Sequence, residues 1–243
     1  MNIFDLIFFQ PIYNLLIFIY DNIPNIGIAI IIVTLIVKLV LYPLNNKTLK
    51  SQKKLQGLHS KIKEIQDKYK DNKEKAAMEI MELYKKEGVN PFSSCLPMII
   101  QLPFIYALYK VFQVGFETET FKYLYPFITK PESINTFFLG INMSEPSFLI
   151  ALLAGIFQFL HAKQMTSLQK NNNNPLNKDK KDDSMAALMG KQMTYILPFI
   201  TIVIGMSFPA GLVFYWLVFT IFSIIQHYLV FKNDEKQDGS GIN

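Results

Sequence analysis

Long apolar runs alternate with lysine-rich polar segments along this chain, and the alternation predicts membrane-spanning helices. The clearest run covers residues 26–44 and holds a single charged residue, Lys38. Nineteen helical residues span about 28 Å, close to the hydrocarbon thickness of a bilayer. Further apolar runs predict spans at residues 91–116, 146–162, 193–206 and 207–230. We therefore expect an all-α integral membrane protein with five transmembrane helices.

The segments outside these runs predict the rest of the architecture. Residues 1–25 are apolar but interrupted by Pro11, and Gln10, Asn14 and Asp21 fall near one helical face. This pattern indicates a helix lying in the outer interface, followed by a turn, with an additional span as the alternative. The remaining polar stretches predict an extracytoplasmic loop, a cytoplasmic loop and a cytoplasmic tail at residues 117–145, 163–192 and 231–243.

Residues 45–90 are too charged to cross a bilayer, since they hold twelve lysines between positions 47 and 86. Pro43 and the following pair of asparagines mark the expected exit from the first span. Apolar residues then follow a 3-4-3-4 spacing typical of a helix-packing seam, namely Leu55, Leu58, Ile62, Ile65 and Tyr69. A turn at 70–73 and a second helix ending at Gly88 complete a predicted cytoplasmic helical hairpin. A hairpin that packs on itself without a partner is the alternative to one that recruits a ligand.

The distribution of charge sets the expected orientation. The 45–90 hairpin, the 163–192 loop and the tail hold twenty lysines, whereas the N-terminal segment and the 117–145 loop hold two. The positive-inside rule then places the N-terminus outside and the C-terminus in the cytoplasm. A net charge of +5 suits an anionic lipid bilayer or ribosomal RNA, and no specific nucleic-acid sequence is expected as a ligand. Cys95 is the single cysteine, which excludes an intrachain disulfide.

Lys38 carries most of the functional interpretation, because an ammonium inside a bilayer costs about 2.5 kcal/mol or more to insert. Lys38 and Gln158 each lie about 18 Å from the outer end of their span, and Gln101 lies two to three turns from the inner face. Thr34 interrupts the otherwise apolar outer half of the first span. None of the five spans contains Asp or Glu, so we expect water to solvate Lys38 in a pocket open to the cytoplasm. The alternatives are that Lys38 reaches the inner headgroups and that the two glutamines bond neighbouring helices.

The other polar residues of the spans carry less weight. Trp216 lies about 10 Å below the outer surface, where it either packs in the core or lines the pocket. Lys110 lies nearer the outer end of its span and is expected to extend outward to the surface. His59, His161 and His227 do not cluster in the predicted arrangement, and each is expected at a surface or interface. We expect no metal site and no cofactor.

Three motifs give the chain a resemblance to a known family. The first is the 28–44 span closed by Tyr-Pro-Leu, the second runs from Asn90-Pro91 through Cys95-Leu96-Pro97 to Gln101-Leu102-Pro103, and the third is Phe208-Pro209-Ala210-Gly211-Leu212 leading to Tyr215-Trp216. With these motifs the chain resembles the YidC membrane protein insertases, the bacterial branch of the group that includes the mitochondrial oxidase-assembly and chloroplast Albino insertases. The resemblance covers about residues 10–230.

The resemblance implies a bacterial plasma-membrane protein whose five spans enclose a hydrophilic groove open to the cytoplasm. It places the groove's basic residue at Lys38, its glutamine at Gln158 and its tryptophan at Trp216. It also implies nascent membrane proteins as substrates, recruitment by the hairpin, and the ribosome and the Sec translocon as partners. The family residue at position 38 is usually arginine, the tail lacks a basic cluster, and the absence of a large extracytoplasmic domain indicates a short form.

A small-solute transporter or channel is the rival function. It is disfavoured by the lack of an intramembrane carboxylate and of a visible inverted repeat. An enzyme is not expected, since the chain has no His-Glu-x-x-His motif, no Gly-x-Ser-x-Gly motif and no phosphate-binding glycine loop.

Overall fold

The computed structural model describes residues 2–90, 93, 96–116, 118–170 and 185–239. Two positions of the second motif, Pro91 and Cys95, lie outside this description, as do residues 171–184 of the predicted cytoplasmic loop. The helices are α1 (Gln10–Asn22), α2 (Ile26–Gly57), α3 (His59–Lys68), α4 (Lys73–Lys86), α5 (Leu96–Val114), α6 (Phe148–Lys170), α7 (Met185–Gly205) and α8 (Ala210–Gly239).

The N-terminal segment is helical from Ile3. A π-helical turn at Asp5–Phe9 runs directly into α1. The polar residues of α1 bind the loop that follows α5. Asn14 is buried, donates its side-chain amide to the Tyr123 carbonyl at 2.9 Å and accepts the Tyr125 amide at 2.6 Å. Gln10 donates to the same carbonyl at 3.2 Å. The polar face of this helix therefore holds a neighbouring loop.

Helix α2 is 32 residues long and continues past the expected exit at Pro43 to Gly57. A proline inside a helix removes one backbone hydrogen bond and costs about 3 kcal/mol, which is why the sequence predicted a boundary there. Contacts beyond the proline support the longer helix. Asn46 accepts a hydrogen bond from Gln226 of α8 at 2.8 Å, and Ser51 donates to Ser93 at 2.8 Å.

Helices α3 and α4 pack against each other beyond the end of α2. Leu58, at the junction of α2 and α3, is buried, whereas the predicted seam residue Leu55 belongs to α2. The side chain of Asn72 accepts the amide of Lys75 at 2.9 Å and caps α4. Gly88 follows the last turn of α4 with a φ of +63°, the left-handed conformation that favours glycine at a helix end.

The segment between α5 and α6 contains regular structure that the sequence interpretation missed. A 3-10 helix covers Thr118–Tyr123, and two short antiparallel strands, β1 (Phe137–Phe138) and β2 (Ile141–Asn142), form a hairpin. Leu139 and Gly140 both have positive φ, as a two-residue hairpin turn requires. The Phe138 ring packs directly on Gly27 of α2, where a Cβ would lie 2.1 Å from the ring. The expected all-α fold is therefore mostly helical with one small hairpin.

Helix α8 packs against α2, α5 and α6. Its first turn packs tightly on α5, and a Cβ on Gly211 would meet the Phe112 ring at 2.0 Å. The fully buried apolar residues concentrate where the first turns of α2 and α8 meet α1 and the last turns of α5, for example Ile30, Val111 and Tyr215. This end of the bundle is therefore apolar and closely packed.

Among the described residues, three helical stretches are long and apolar enough to cross a bilayer, at Ile26–Leu55, Phe148–Met165 and Ala210–Phe231. Two further apolar stretches, Ile99–Val114 and Thr194–Gly205, are shorter. These five stretches correspond to the five apolar runs. Helix α7, which contains the fourth predicted span, begins earlier than the predicted residue 193. Helix α8 continues into the predicted 231–243 tail.

Candidate functional site: a buried ammonium between two helices

Lys38 points into the interface between α2 and α8. The residue is 8% exposed, and its Nζ atom donates to Ser223 Oγ at 2.6 Å. The same atom lies 3.6 Å from the centroid of the Phe219 ring, within cation–π range. Among the described residues, no carboxylate pairs with this ammonium. A hydroxyl and an aromatic face thus partly replace the hydration shell of the charge.

Ser223 is oriented to accept from Lys38. Its hydroxyl donates to the Phe219 carbonyl, one turn earlier in α8, at 2.8 Å. The hydroxyl proton is therefore used within the helix, and the oxygen lone pairs face the ammonium. Phe219 and Ser223 are four residues apart, which puts the ring and the hydroxyl on one face of α8.

The position of Ser223 indicates that the Lys38 ammonium lies at about the same depth as its own backbone. Lys38 lies about 18 Å along α2 from Ile26, and Ser223 lies about 20 Å along α8 from Ala210. The sequence argument offered two ways to accommodate the charge, water in a pocket or extension to the headgroups. The structure adds partners on α8 that neither alternative included.

Gln101 of α5 also reaches α8. Its Nε2 atom donates to the hydroxyl of buried Tyr215 at 2.7 Å, and its Oε1 atom is buried without a hydrogen-bond partner among the described residues. Tyr215 lies eight residues before Ser223, about 12 Å along the helix axis. The partner of Gln101 therefore lies two turns nearer the start of α8 than the partner of Lys38.

Gln158 of α6 reaches α8 close to the level of Lys38. Its Oε1 atom accepts from the Thr220 hydroxyl at 3.5 Å, a long and weak hydrogen bond. Trp216 is half-buried and lies four residues before Thr220, on the same face of α8. Thr34 is fully buried one turn before Lys38, and its hydroxyl donates to the Ile30 carbonyl of its own helix at 2.6 Å.

The partners of Lys38, Gln101 and Gln158 that sequence reasoning missed lie on α8. Tyr215, Phe219 and Ser223 recur every four residues, and Thr220 lies beside them. This periodicity was visible in the sequence as polar groups at helical spacing within an apolar run. What it did not give was the identity of the partner helix, since single Ser and Thr residues are common in membrane helices.

Lys110 forms a different kind of contact. Its Nζ atom lies 2.5 Å from the Asp5 carboxylate in the N-terminal helix, and the Tyr106 hydroxyl donates to the same carboxylate at 3.0 Å. The ammonium also lies 5.1 Å from the centroid of the Phe9 ring. The expectation that Lys110 extends outward to the surface did not include this carboxylate, which comes from outside the spans.

Two of the histidines lie on helices that pack against each other, His161 on α6 and His227 on α8. His227 was expected at a surface or interface and is 2% exposed. The side chain of His59 lies outside the described residues.

A separate apolar pocket of about 730 Å³ opens between Phe4, one face of α5 and the start of α8. The predicted site residues are not among its lining. The described part of the chain holds no group of three or more His, Cys, Asp or Glu side chains that could bind a metal ion.

Comparison with known proteins gives one consistent family. The chain matches the family described as 60Kd inner membrane protein over residues 18–237. A protein of Rickettsia bellii named "Membrane protein insertase YidC" is 36% identical over 231 residues, which are 93% of this chain and 39% of that protein. A protein of the same name from Oceanobacillus iheyensis is 36% identical over 211 residues, 85% of this chain and 74% of that protein. The chain thus spans about two fifths of the length of the Rickettsia relative.

A solved structure has a similar fold. It is described as "Active YidC insertase crystal structure with the first transmembrane domain resolved", and it superposes with a TM-score of 0.61 at 27% identity. The match covers 94% of this chain and 46% of that one. The named relatives and the solved structure are described as insertases, and they do not favour the small-solute transporter.

Proposed function

This chain belongs to the YidC group of membrane protein insertases, described as the 60Kd inner membrane protein family, and from that membership we propose that it inserts segments of nascent membrane proteins into the bilayer. Its bacterial relatives and apolar helices make it a multi-pass protein of the inner membrane. We further propose that the five apolar helical stretches all cross that membrane, with the N-terminus outside and the C-terminus in the cytoplasm. The asymmetric distribution of lysines supports this orientation.

The proposed mechanism uses charge and hydrogen bonding without a covalent step. A substrate segment arrives from the cytoplasm with a short polar or acidic tail. The tail enters a hydrated groove where Lys38 attracts its carboxylates, and Gln101, Gln158, Trp216 and Thr34 contribute the remaining lining. This contact lowers the desolvation cost of carrying the tail across the inner leaflet. The apolar part of the segment then moves sideways into lipid.

The observation that carries this proposal is the buried ammonium of Lys38 with no carboxylate partner among the described residues. An ammonium has three N–H donors, and Ser223 accepts from one of them. The remaining donors can bind a carboxylate without breaking an existing ion pair. The closely packed apolar end of the bundle around Ile30 and Val111 supports a groove that is sealed on the outer side.

The partners follow from the same proposal. Helices α3 and α4, with their lysine-rich surface, are placed in the cytoplasm, where they would meet the substrate first. The ribosome and the Sec translocon are proposed partners, and the anionic inner leaflet is the proposed environment of the lysine-rich loops.

An insertion assay with matched substrates tests the proposal. A single-span substrate with an acidic outer tail and the same substrate with Asn and Gln in place of the acids are translated in the presence of vesicles containing the full chain. Lys38→Ala is expected to reduce insertion of the acidic substrate about tenfold or more, since a hydrogen bond to a charged group is worth about 1.5–3 kcal/mol. Lys38→Arg is expected to retain insertion, because it keeps the charge.

Lys130→Ala is the matched control, since it removes one lysine from an exposed position in the loop before α6. It is expected to leave insertion of both substrates unchanged. Full insertion of the acidic substrate by Lys38→Ala would contradict the charge-based mechanism.

A further inference from the structure

The β1–β2 hairpin lies at the ends of α2 and α8 that the proposed orientation places on the outer side. The Phe138 ring of β1 packs on Gly27 in the first turn of α2, and its centroid lies 5.4 Å from that of the Phe214 ring of α8. Gly27 is one residue from the start of α2 and Phe214 is four residues from the start of α8, about 2 Å and about 6 Å along the helix axes. The hairpin therefore lies at the level where these two apolar helices begin.

Hydrogen bonds on both sides of the hairpin fix it at this level. After β2, the Met143 carbonyl accepts from the amide of Gly211 in the first turn of α8 at 2.8 Å, and the Met143 side chain is fully buried. Before β1, the amide of Asn135 donates to the Tyr20 hydroxyl of α1 at 2.8 Å. A hairpin held at both ends presents the side chains of its turn in a defined position.

Two large apolar side chains of the hairpin do not pack on the bundle. Side chains alternate along a strand, so Phe137 points away from the face on which Phe138 packs, and it is 57% exposed. Leu139 follows in the turn and is 86% exposed. Its φ of +49° is the left-handed conformation, which is unfavourable for a residue with a Cβ atom. A leucine at this position is therefore unfavourable in its backbone and, in water, in its exposed apolar surface as well.

The surface beside the hairpin at this level is also apolar. Ile28 in the first turn of α2 is exposed, as is Phe148 at the start of α6. The start of α6 lies level with that of α8, because the Ala210 amide donates at 2.7 Å to the Glu145 carbonyl, three residues before Phe148. The exposed side chains of the hairpin thus continue the apolar surface of two proposed spans at their outer ends.

We propose that the tip of the β1–β2 hairpin, formed by Phe137 and Leu139, inserts into the outer leaflet of the bilayer where the headgroups meet the acyl chains. The partner is the lipid surface itself. This inference goes beyond the proposed insertase function and rests on the proposed crossing of the membrane by α2 and α8. The boundary region on each side of the hydrocarbon is about 5–7 Å thick, and two paired strands lie about 4.8 Å apart, so the hairpin fits within it.

The charge of the surrounding loop indicates which property of the lipid is recognised. Residues 117–145 contain four glutamates and two lysines, so anionic headgroups do not attract this loop. Contact between apolar side chains and acyl chains supplies the binding. Once inserted, the tip keeps Phe138 packed between α2 and α8, the two helices that carry Lys38 and Ser223.

Spin labelling of the full chain in phosphatidylcholine vesicles tests the inference. Cys95→Ser removes the single cysteine, and a nitroxide is then attached to Leu139→Cys or Phe137→Cys. Power saturation compares the collisions of the nitroxide with oxygen, which concentrates in hydrocarbon, and with a nickel chelate that stays in water. Lys130→Cys is the control at an exposed polar position of the same loop, and Phe199→Cys is the reference at an exposed apolar position of α7.

Both hairpin labels are expected to collide several-fold more often with oxygen than with the nickel chelate, and the Lys130→Cys label is expected to show the reverse. Two positions are labelled so that one misfolded variant does not decide the result. More frequent collisions with nickel than with oxygen at the hairpin would overturn the inference. Protection from both reagents would overturn it too, because protein, such as a second copy of the chain, would then cover the tip.

The Phe199→Cys label separates this inference from the membrane placement on which it rests. Oxygen access at Phe199→Cys together with nickel access at the hairpin overturns the lipid contact of the hairpin alone. Nickel access at Phe199→Cys overturns the proposed placement of the spans.

A second pair of variants tests the contribution of Leu139. With the label on Phe137→Cys, Leu139→Asp is expected to lower the oxygen collisions several-fold, since a carboxylate draws the tip toward water. Leu139→Met keeps an apolar side chain and is expected to leave them unchanged. Oxygen collisions that stay the same in Leu139→Asp would contradict insertion through this residue.

Discussion

Two lysines in the apolar helices of this chain have their charges accommodated in different ways. Lys110 of α5 pairs with the Asp5 carboxylate, which also accepts from Tyr106. Lys38 of α2 has a serine hydroxyl and a phenylalanine ring and, among the described residues, no carboxylate. The positive charge is therefore cancelled within the fold at one position and left without a counter-charge at the other.

This difference separates a structural charge from a charge that can act on a ligand. A paired ammonium and carboxylate present little net field to an approaching anion. An ammonium with neutral partners keeps its attraction for a carboxylate, and its partial burial weakens solvent screening. Both residues are lysines on apolar helices, and their partners distinguish them.

The largest difference in thermal stability is expected between variants that remove Lys110 and variants that remove Lys38. Lys110→Met leaves the Asp5 carboxylate without its counter-charge, so the thermal unfolding midpoint is expected to fall by several degrees. Lys38→Met removes an uncompensated charge from the interface, so the midpoint is expected to stay the same or rise. Circular dichroism melts in detergent measure both variants.

The double variant Asp5→Asn with Lys110→Met supplies the control for that experiment. It removes both charges and is expected to recover much of the stability lost by Lys110→Met alone. Equal destabilisation by the two single lysine variants would show that the two charges are held in the same way.

An intermediate effect is expected from the hydroxyl that holds Lys38. Ser223→Ala removes the acceptor but keeps the charge and the Phe219 ring, so insertion of an acidic-tail substrate is expected to fall a few-fold, less than in Lys38→Ala. Ser223→Thr keeps the hydroxyl and is expected to restore insertion. A loss in Ser223→Ala as large as that in Lys38→Ala would mean that the hydroxyl matters as much as the charge.

The smallest effect on stability is expected from a third lysine, Lys61, which forms an exposed ion pair. Lys61 lies 2.7 Å from Glu87 at the open ends of α3 and α4, and its hydrogen bond holds the pKa of Glu87 below the ordinary value. The stabilisation is therefore complete above the ordinary glutamate pKa and is lost as the pH falls through the lowered value. Solvent screens this pair, so its contribution is small.

Melting curves of wild type and Glu87→Gln at about pH 7 and about pH 3 measure it. The midpoints are expected to differ slightly at the higher pH and to coincide at the lower one. A difference at neutral pH as large as that caused by Lys110→Met would contradict the distinction between exposed and buried pairs.

Sequence reasoning found Lys38 because a single charge in an apolar run is conspicuous whatever the surrounding fold. It could not find Ser223 as the partner, because that choice depends on how α8 packs against α2. It did not pair Lys110 with Asp5, because Asp5 lies in the N-terminal helix, outside the spans. These are pairings between distant segments, and local pattern does not encode them.

The fold shows the same division. The apolar runs correspond to helices of the structure, since hydrophobicity over some twenty residues is a strong signal. Pro43 predicted a boundary that contacts such as Asn46–Gln226 overrode. The β1–β2 hairpin has a readable Leu139-Gly140 turn, but strands of two residues are too short to give an alternating pattern.

The continuity of α2 has a mechanical consequence. From Lys38 to Gly57 the helix continues through Pro43 over about 28 Å, and α3 follows it at the far end. A tilt of this segment by about ten degrees about the level of Lys38 would move its far end by roughly 5 Å. One continuous helix thus connects the ammonium to the lysine-rich helices.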